Sequence, residues 1–200
     1  LLGGEEWCCG FPLIGGGMKK EAEGLIRHNL ERVKEKGVKR VAFACPSCYH
    51  TWRQAYKTDI EIFHSTQFIK QLIDEGKIRF QEKKTRVTYH DPCDLGRASG
   101  VYEAPRAILR SVPGVELIEM TNNREQCKCC GGGGNLEMVD QELSSALAQE
   151  KIRQIQATGT DTVITACQQC VRTILTTARR KEIPINAMDI PEFGLKTMKS

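Results

Sequence analysis

No apolar stretch in these 200 residues approaches the ~20 needed to cross a bilayer as a helix, so no membrane-spanning segment is expected. Aromatic residues make up only 6% of the chain, and no basic stripe is interleaved with them, which argues against nucleic acid as a partner. The net charge of +4 is modest, and its basic clusters are short (Lys83-Lys84, Arg179-Arg180-Lys181), so a weak pull on acidic protein partners is all it supports. An initiator methionine is also lacking. Leu1-Leu2-Gly3-Gly4 reads like the interior of a domain, so the chain is expected to be a piece of a longer protein.

Cysteine, by contrast, is abundant. Ten occur, and eight of them form one constellation written twice: Cys-Cys-Gly, then Cys-x-x-Cys. The first copy is Cys8-Cys9-Gly10 with Cys45-Pro46-Ser47-Cys48, and the second is Cys129-Cys130-Gly131 with Cys167-Gln168-Gln169-Cys170. Cys45 follows Cys9 by 36 positions and Cys167 follows Cys130 by 37. A duplicated spacing in a chain of this length implies two units, expected over residues 1–80 and 81–200, with a charged linker from Gly76 to Thr85.

Hydrophobic periodicity predicts alternating strands and helices, hence an α/β fold in which small parallel sheets are flanked by helices. In the second half, strands are expected at Arg86–Tyr89, Val115–Ile118, Thr162–Ala166 and Ile183–Ala187. Helices are expected at Glu103–Ser111, Leu136–Ala157 and Gln168–Lys181, and after the last strand. The first half repeats the back part of this order: helix Met18–Lys36, strand Val38–Ala44, a helix, strand Ile60–Phe63, helix Ser65–Asp74. Gly37 then matches Gly159, Val41 matches Val163, and Ala44-Cys45 matches Ala166-Cys167. The counterpart of Cys93 falls before residue 1, so the first domain is expected to be truncated at its N-terminal side, with its fifth cysteine upstream.

Cys45, Cys93 and Cys167 follow predicted strands, where ligands of α/β units bind. The C-x-x-C pairs occupy the first turn of the next helix, where free N–H groups and the positive helix end favour thiolates. Adjacent cysteines point apart and suit two irons better than one small ion. Five cysteines in the second half (Cys93, Cys129, Cys130, Cys167, Cys170) exceed the four that zinc takes. An iron–sulfur cluster is therefore the leading reading. A zinc-stabilised, non-redox binding module is the alternative, and a secreted disulfide scaffold fits poorly with so long and helical a chain.

The run His90-Asp91-Pro92-Cys93-Asp94-Leu95-Gly96-Arg97, followed by Cys129-Cys130-Gly131 and Cys167-Gln168-Gln169-Cys170, resembles the cysteine-rich CCG domain found in the B and D components of heterodisulfide reductase. Related iron–sulfur subunits of glycolate, lactate and glycerol-3-phosphate dehydrogenases share it, and the text around the second motif is most similar to the D type. The resemblance implies two tandem CCG domains related by a pseudo-twofold duplication. It also implies a noncubane [4Fe-4S] cluster on Cys93, Cys129, Cys130, Cys167 and Cys170, and a second on Cys8, Cys9, Cys45 and Cys48 with its fifth ligand upstream.

The function implied is an iron–sulfur oxidoreductase subunit that carries electrons and reduces a small disulfide. Its partners would be ferredoxin-like subunits, a flavoprotein or a membrane cytochrome. A pure relay between a flavoprotein dehydrogenase and a quinone or cytochrome site is the runner-up. A reducing cytoplasm is the expected location, with any membrane association made through partner subunits. The catalytic residues are not identified; His90 and the extra Cys127 are candidates as proton donor or redox thiol, set against plainer roles as turn-organising histidine and buried small side chain. His64 is read as structural, and Trp7 as a shield for the first site.

Overall fold

A computed structural model describes residues 3–199. Its first half runs through a short helix α1 (Phe11–Gly15), α2 (Lys19–Glu35), β1 (Arg40–Phe43), α3 (Pro46–Ala55), β2 (Glu61–His64) and α4 (Ser65–Asp74). The second half runs through β3 (Thr85–His90), α5 (Glu103–Ser111), β4 (Val115–Glu119), α6 (Leu136–Val139), α7 (Gln141–Gln156), β5 (Thr162–Thr165), α8 (Gln168–Arg180), β6 (Asn186–Asp189) and α9 (Ile190–Thr197). The order β1-α3-β2-α4 recurs as β5-α8-β6-α9, as the repeat of the cysteine motifs predicts. Among the described residues, no helix is long and apolar enough to cross a membrane.

Two parallel sheets form. One is the pair β1-β2, and the other has the order β4-β3-β5-β6. The chain therefore crosses from β3 outward to β4, and then back past β3 to β5 and β6, each time through a helix or a long connection. β5 is bonded on both sides, whereas β1, its counterpart, pairs only with β2 among the described residues. β5 is wholly apolar or hydroxyl-bearing, and β3 is so from Val87 to Tyr89, because both faces of their sheet are covered there.

The larger apolar core does not respect the boundary between the halves. Tyr49 and Phe80 join Val87, Tyr89, Leu95, Ile108, Leu109, Ile164, Ile190 and Phe193, with Phe43, Ile62 and Ile69 packed against them. The charged stretch from Gly76 to Thr85 is correspondingly more than a tether. Phe80 is buried and bridges to Met198, while the Gln81 amide donates to Thr197 O at 2.7 Å.

Two expected elements shift. The helix expected over Leu136–Ala157 breaks at Asp140, whose extended backbone and carboxylate, accepting from Leu143 N–H at 2.9 Å, start a new helix instead. The last strand slides from Ile183–Ala187 to Asn186–Asp189, because Glu182 adopts a left-handed φ of 55° and Pro184 has no N–H to give a ladder.

Candidate metal centre

Each Cys-x-x-Cys motif sits where a parallel strand hands over to a helix. Cys45 and Cys167 are extended N-cap residues of α3 and α8, so Cys48 and Cys170 stand one turn inside the helix on the same side. Amides of the first helical turn have no carbonyl partner and turn toward sulfur: Ser47 and Cys48 toward Cys45, Gln169 and Cys170 toward Cys167.

In the second half, five sulfurs form one unbroken row. Cys93 contacts Cys129, Cys129 contacts Cys130, Cys130 contacts Cys170, and Cys170 contacts Cys167. Cys130, Cys167 and Cys170 are buried, Cys129 is half-buried, and Cys93 reaches solvent. No disulfide forms anywhere; all ten cysteines are free. Contacts with the Cys130 and Cys93 thiols, with the Gly131 amide at 3.3 Å behind them, hold Cys129 far below the usual thiol value. The same contact with Cys129 pushes Cys130 up to about 12, and that with Cys130 raises Cys170. One row thus shares its protons unevenly, as expected where several thiolates must be stabilised together.

Glycine makes the row possible. Gly131 has φ 89°, and a Cβ there would run into Ser144 O and lie 3.0 Å from Ala148 N on α7. A Cβ on Gly132 would overlap Thr173 Oγ1 and sit 2.9 Å from Gln169 Nε2 on α8. Ser144 Oγ closes the fit by donating to Gly131 O at 2.8 Å. The Cys-Cys-Gly-Gly run is clamped between two helices with no space for a side chain.

The turn that carries Cys93 is fixed by a buried ion cluster that sequence reasoning missed. Arg106, fully buried on α5, grips Asp91 through two bonds of 2.7 and 2.8 Å and Glu119 through two of 2.6 and 2.9 Å. Burial works against its charge, but the bonds to Asp91 and then Glu119 outweigh that and hold the guanidinium above its ordinary value. Asp91 Oδ2 also accepts from Arg124 N–H at 2.8 Å. The only sequence signal was an arginine on the apolar stripe of a short helix.

In the first half, Cys48 contacts both Cys9 and Cys45. Those contacts lower Cys45 to about 6 and Cys9 to about 7 against the effect of burial, while Cys48 is raised. The trio closes without Cys8, which is exposed. A cavity of about 540 Å³ opens beside it, between Val33, Val41, Phe43 and Trp52, with Gln168 on its wall. Trp7 is half exposed and stacks on His28 at 3.6 Å, so the shield over this site is chiefly Trp52, buried and stacked on Tyr56 at 3.9 Å. Asn29 knits the Cys8 and Cys9 segment together: it donates to Cys8 O at 3.2 Å and to Tyr56 Oη, which in turn donates to Cys9 O at 3.1 Å. His64 is structural, as expected; Nε2 donates to Ala44 O at 3.2 Å and Nδ1 accepts from Thr66 at the start of α4.

The two sulfur groups face each other. Gln168, next to Cys167, donates to the carbonyl of Ala44, next to Cys45, at 3.3 Å. Ser47 within the first C-x-x-C donates to Asp94, next to Cys93, at 2.5 Å, and Ser99 meets His50 at 3.4 Å. The contact with Cys170 lowers Cys167, and a thiolate at Cys45 would oppose that from across the gap.

The donor set fits a polynuclear iron–sulfur group better than a single ion: five contiguous thiol sulfurs, amides aimed at them and a glycine cradle against two helices. Cys127 lies outside the row. It is buried, and burial raises it despite the opposing charge of Lys151. His90 is buried beside it, and burial first, the Lys151 charge second, lower its imidazole to about 3.

The profile of the cysteine-rich CCG domain matches this chain twice, over residues 2–53 and 87–174. The D component of the dihydromethanophenazine:CoB–CoM heterodisulfide reductase of Methanosarcina barkeri is 38% identical over 87% of this chain and 45% of its own length. The component of the same name from Methanosarcina mazei is 34% identical over 98% of this chain and 52% of its own. The B component of the fumarate reductase (CoM/CoB) of Methanothermobacter marburgensis is 34% identical over 82% and 32%. The chain spans about half or less of the length of these relatives.

Proposed function

Because the chain belongs to the cysteine-rich CCG domain family, we propose that it is the electron-carrying part of an iron–sulfur oxidoreductase subunit of the heterodisulfide reductase type. Its two units are taken as residues 1–80 and 81–200. The second holds a noncubane [4Fe-4S] cluster on Cys93, Cys129, Cys130, Cys167 and Cys170. The first holds a cluster on Cys9, Cys45 and Cys48, with Cys8 and a cysteine from outside this sequence. The single observation that carries this reading is the unbroken row of five free sulfurs. When bound, the clusters would supply one-electron exchange.

The rest of the chain positions and insulates. Trp52 with Val33, Val41 and Phe43 gives the first site an apolar wall, and Gly131 packed against Ala148 closes one side of the second. The Gln168 and Ser47 bonds hold the two sites at a fixed separation, so a charge entering one has a defined route to the other. The open end of the row, at Cys93, supports disulfide chemistry there: a disulfide takes two electrons and two protons and leaves as two thiols, with the electrons drawn from partner redox subunits. The burial of Cys130, Cys167 and Cys170 supports the second reading, a relay toward a quinone or cytochrome site. Both readings have the chain working in a cytoplasmic complex.

Anaerobic purification followed by iron, acid-labile sulfide and zinc analysis tests the proposal. Iron and sulfide in near-equal amounts support it, whereas zinc without iron overturns it in favour of a binding module. Turnover of a small disulfide with reduced viologen, by the cluster-loaded full subunit, separates reductase from relay.

A further inference from the structure

Behind the sulfur row lies a polar group that the electron-carrying role leaves unexplained. His90 ends β3 with 1% of its surface exposed, and its Nε2 is buried without a hydrogen-bond partner among the described residues. Its other nitrogen, Nδ1, meets Cys127 Sγ at 3.5 Å. A ring nitrogen of His90 and the sulfurs of Cys130 and Cys170 lie within 4.8 Å of one another. An unpartnered buried nitrogen costs about 1–3 kcal/mol, so its persistence beside two thiols calls for an occupant.

The surroundings of Cys127 decide which tautomer His90 carries. Lys151 is fully buried, offers only donors, and points Nζ at Cys127 Sγ from 3.7 Å. The Asp91 amide is directed at the same sulfur. Any thiol proton on Cys127 has its own acceptor in Lys128 O, at 3.5 Å. With donors converging on it, the sulfur is an acceptor, so Nδ1 carries the proton and donates it. The lone pair is then on Nε2, the nitrogen with no partner. With Nδ1 taken by Cys127, we assign Nε2 as the ring nitrogen near the Cys130 and Cys170 sulfurs, and a lone pair there is repelled by electron-rich sulfur unless a cation lies between them.

We propose that His90 is a protein ligand of the second metal centre, binding through Nε2 an iron that Cys130 and Cys170 also hold, with Cys127 and Lys151 positioning its ring. Lys151 has no carboxylate partner among the described residues; its neighbours are Gln154 Oε1 at 2.8 Å, Met120 Sδ at 3.9 Å and Cys127. Its charge is balanced by the thiolate-rich centre it backs onto. Cys127 is thereby a second-rank partner that fixes the imidazole, in the way that metal-bound histidines usually place their other nitrogen. The inference rests on the iron–sulfur reading of this site and adds to it a nitrogen donor.

The test is a hyperfine measurement on the full, anaerobically purified subunit labelled with 15N-histidine, with iron and sulfide assayed on the same sample. A strongly coupled histidine nitrogen is expected in the paramagnetic state. It is expected to vanish in His90→Gln, to weaken in Cys127→Ala as the ring loses its anchor, and to persist in single replacements of His28, His50 and His64. Should His90→Gln fail to fold, the Cys127→Ala variant, which keeps His90 and loosens its ring, carries the assignment. Replacement of the neutral imidazole by a thiolate, His90→Cys, is expected to lower the midpoint potential. Iron and sulfide present with only weak nitrogen couplings would overturn the histidine ligand and leave the cluster intact; absence of iron would overturn both.

Discussion

Arg106 shows how much one side chain out of solvent can decide. It neutralises Asp91 in the turn leading to Cys93 and reaches Glu119 at the end of β4, so its removal leaves a buried carboxylate without a counter-charge. Arg106→Met is expected to lower unfolding stability by about 3–5 kcal/mol in urea titration. A loss of under about 1 kcal/mol would show that Asp91 finds water instead. His64 gives a pH dependence of known sign. Burial lowers it from 6.5 to about 4, despite its bond to Ala44, so the unfolded chain takes up a proton before the folded one does. Its contribution is complete above pH 6.5 and is lost as pH falls toward 4, by roughly 3 kcal/mol. The difference in stability between about pH 7.5 and about pH 4.5 should shrink in His64→Gln; an unchanged difference would assign the acid lability to other groups. Individual cysteines were legible because their spacing repeats, whereas Arg106 and Lys151 were not, because a buried charge is defined by partners far away in the chain.

At the scale of elements, α4 and α5 form at the boundaries that periodicity predicts, Ser65–Asp74 and Glu103–Ser111; apolar spacing sets both, and the His64 cap reinforces the start of α4. Where signals compete, the reading fails. Leu136 to Ala157 keeps helical spacing throughout, and nothing in that spacing says that Asp140 will prefer to cap. Asp140→Ala is expected to cost about 1 kcal/mol and to fray the start of α7, seen as faster amide exchange at Leu143 and Ser144. Unchanged exchange there would mean that packing against α8, rather than the cap, fixes the helix start. The break also has a use: it turns α7 so that Ser144 and Ala148 reach Gly131, which an uninterrupted helix from Leu136 would not present in the same way.

Across the whole molecule, both sulfur sites lie at the same edge of their sheets because each unit ends its strand with a cysteine, and this was legible from the repeat. That they face one another was not, because Gln168 to Ala44 and Ser47 to Asp94 are contacts between halves with no local pattern. Nor was the shared core that draws Tyr49 and Phe80 into the second sheet. That core contains no cysteine, so chelating the metal is expected to leave the far-ultraviolet circular dichroism largely unchanged while lowering the melting temperature. Collapse of the helical signal on chelation would show that the clusters, and not this core, hold the halves together.

β1 has no neighbouring strand on its outer side among the described residues, so one row of its backbone donors and acceptors stays open to a further strand. Its counterpart β5 has that side filled by β3. A parallel strand laid along β1, in the register that β3 keeps with β5, would complete the smaller sheet in the order of the larger one.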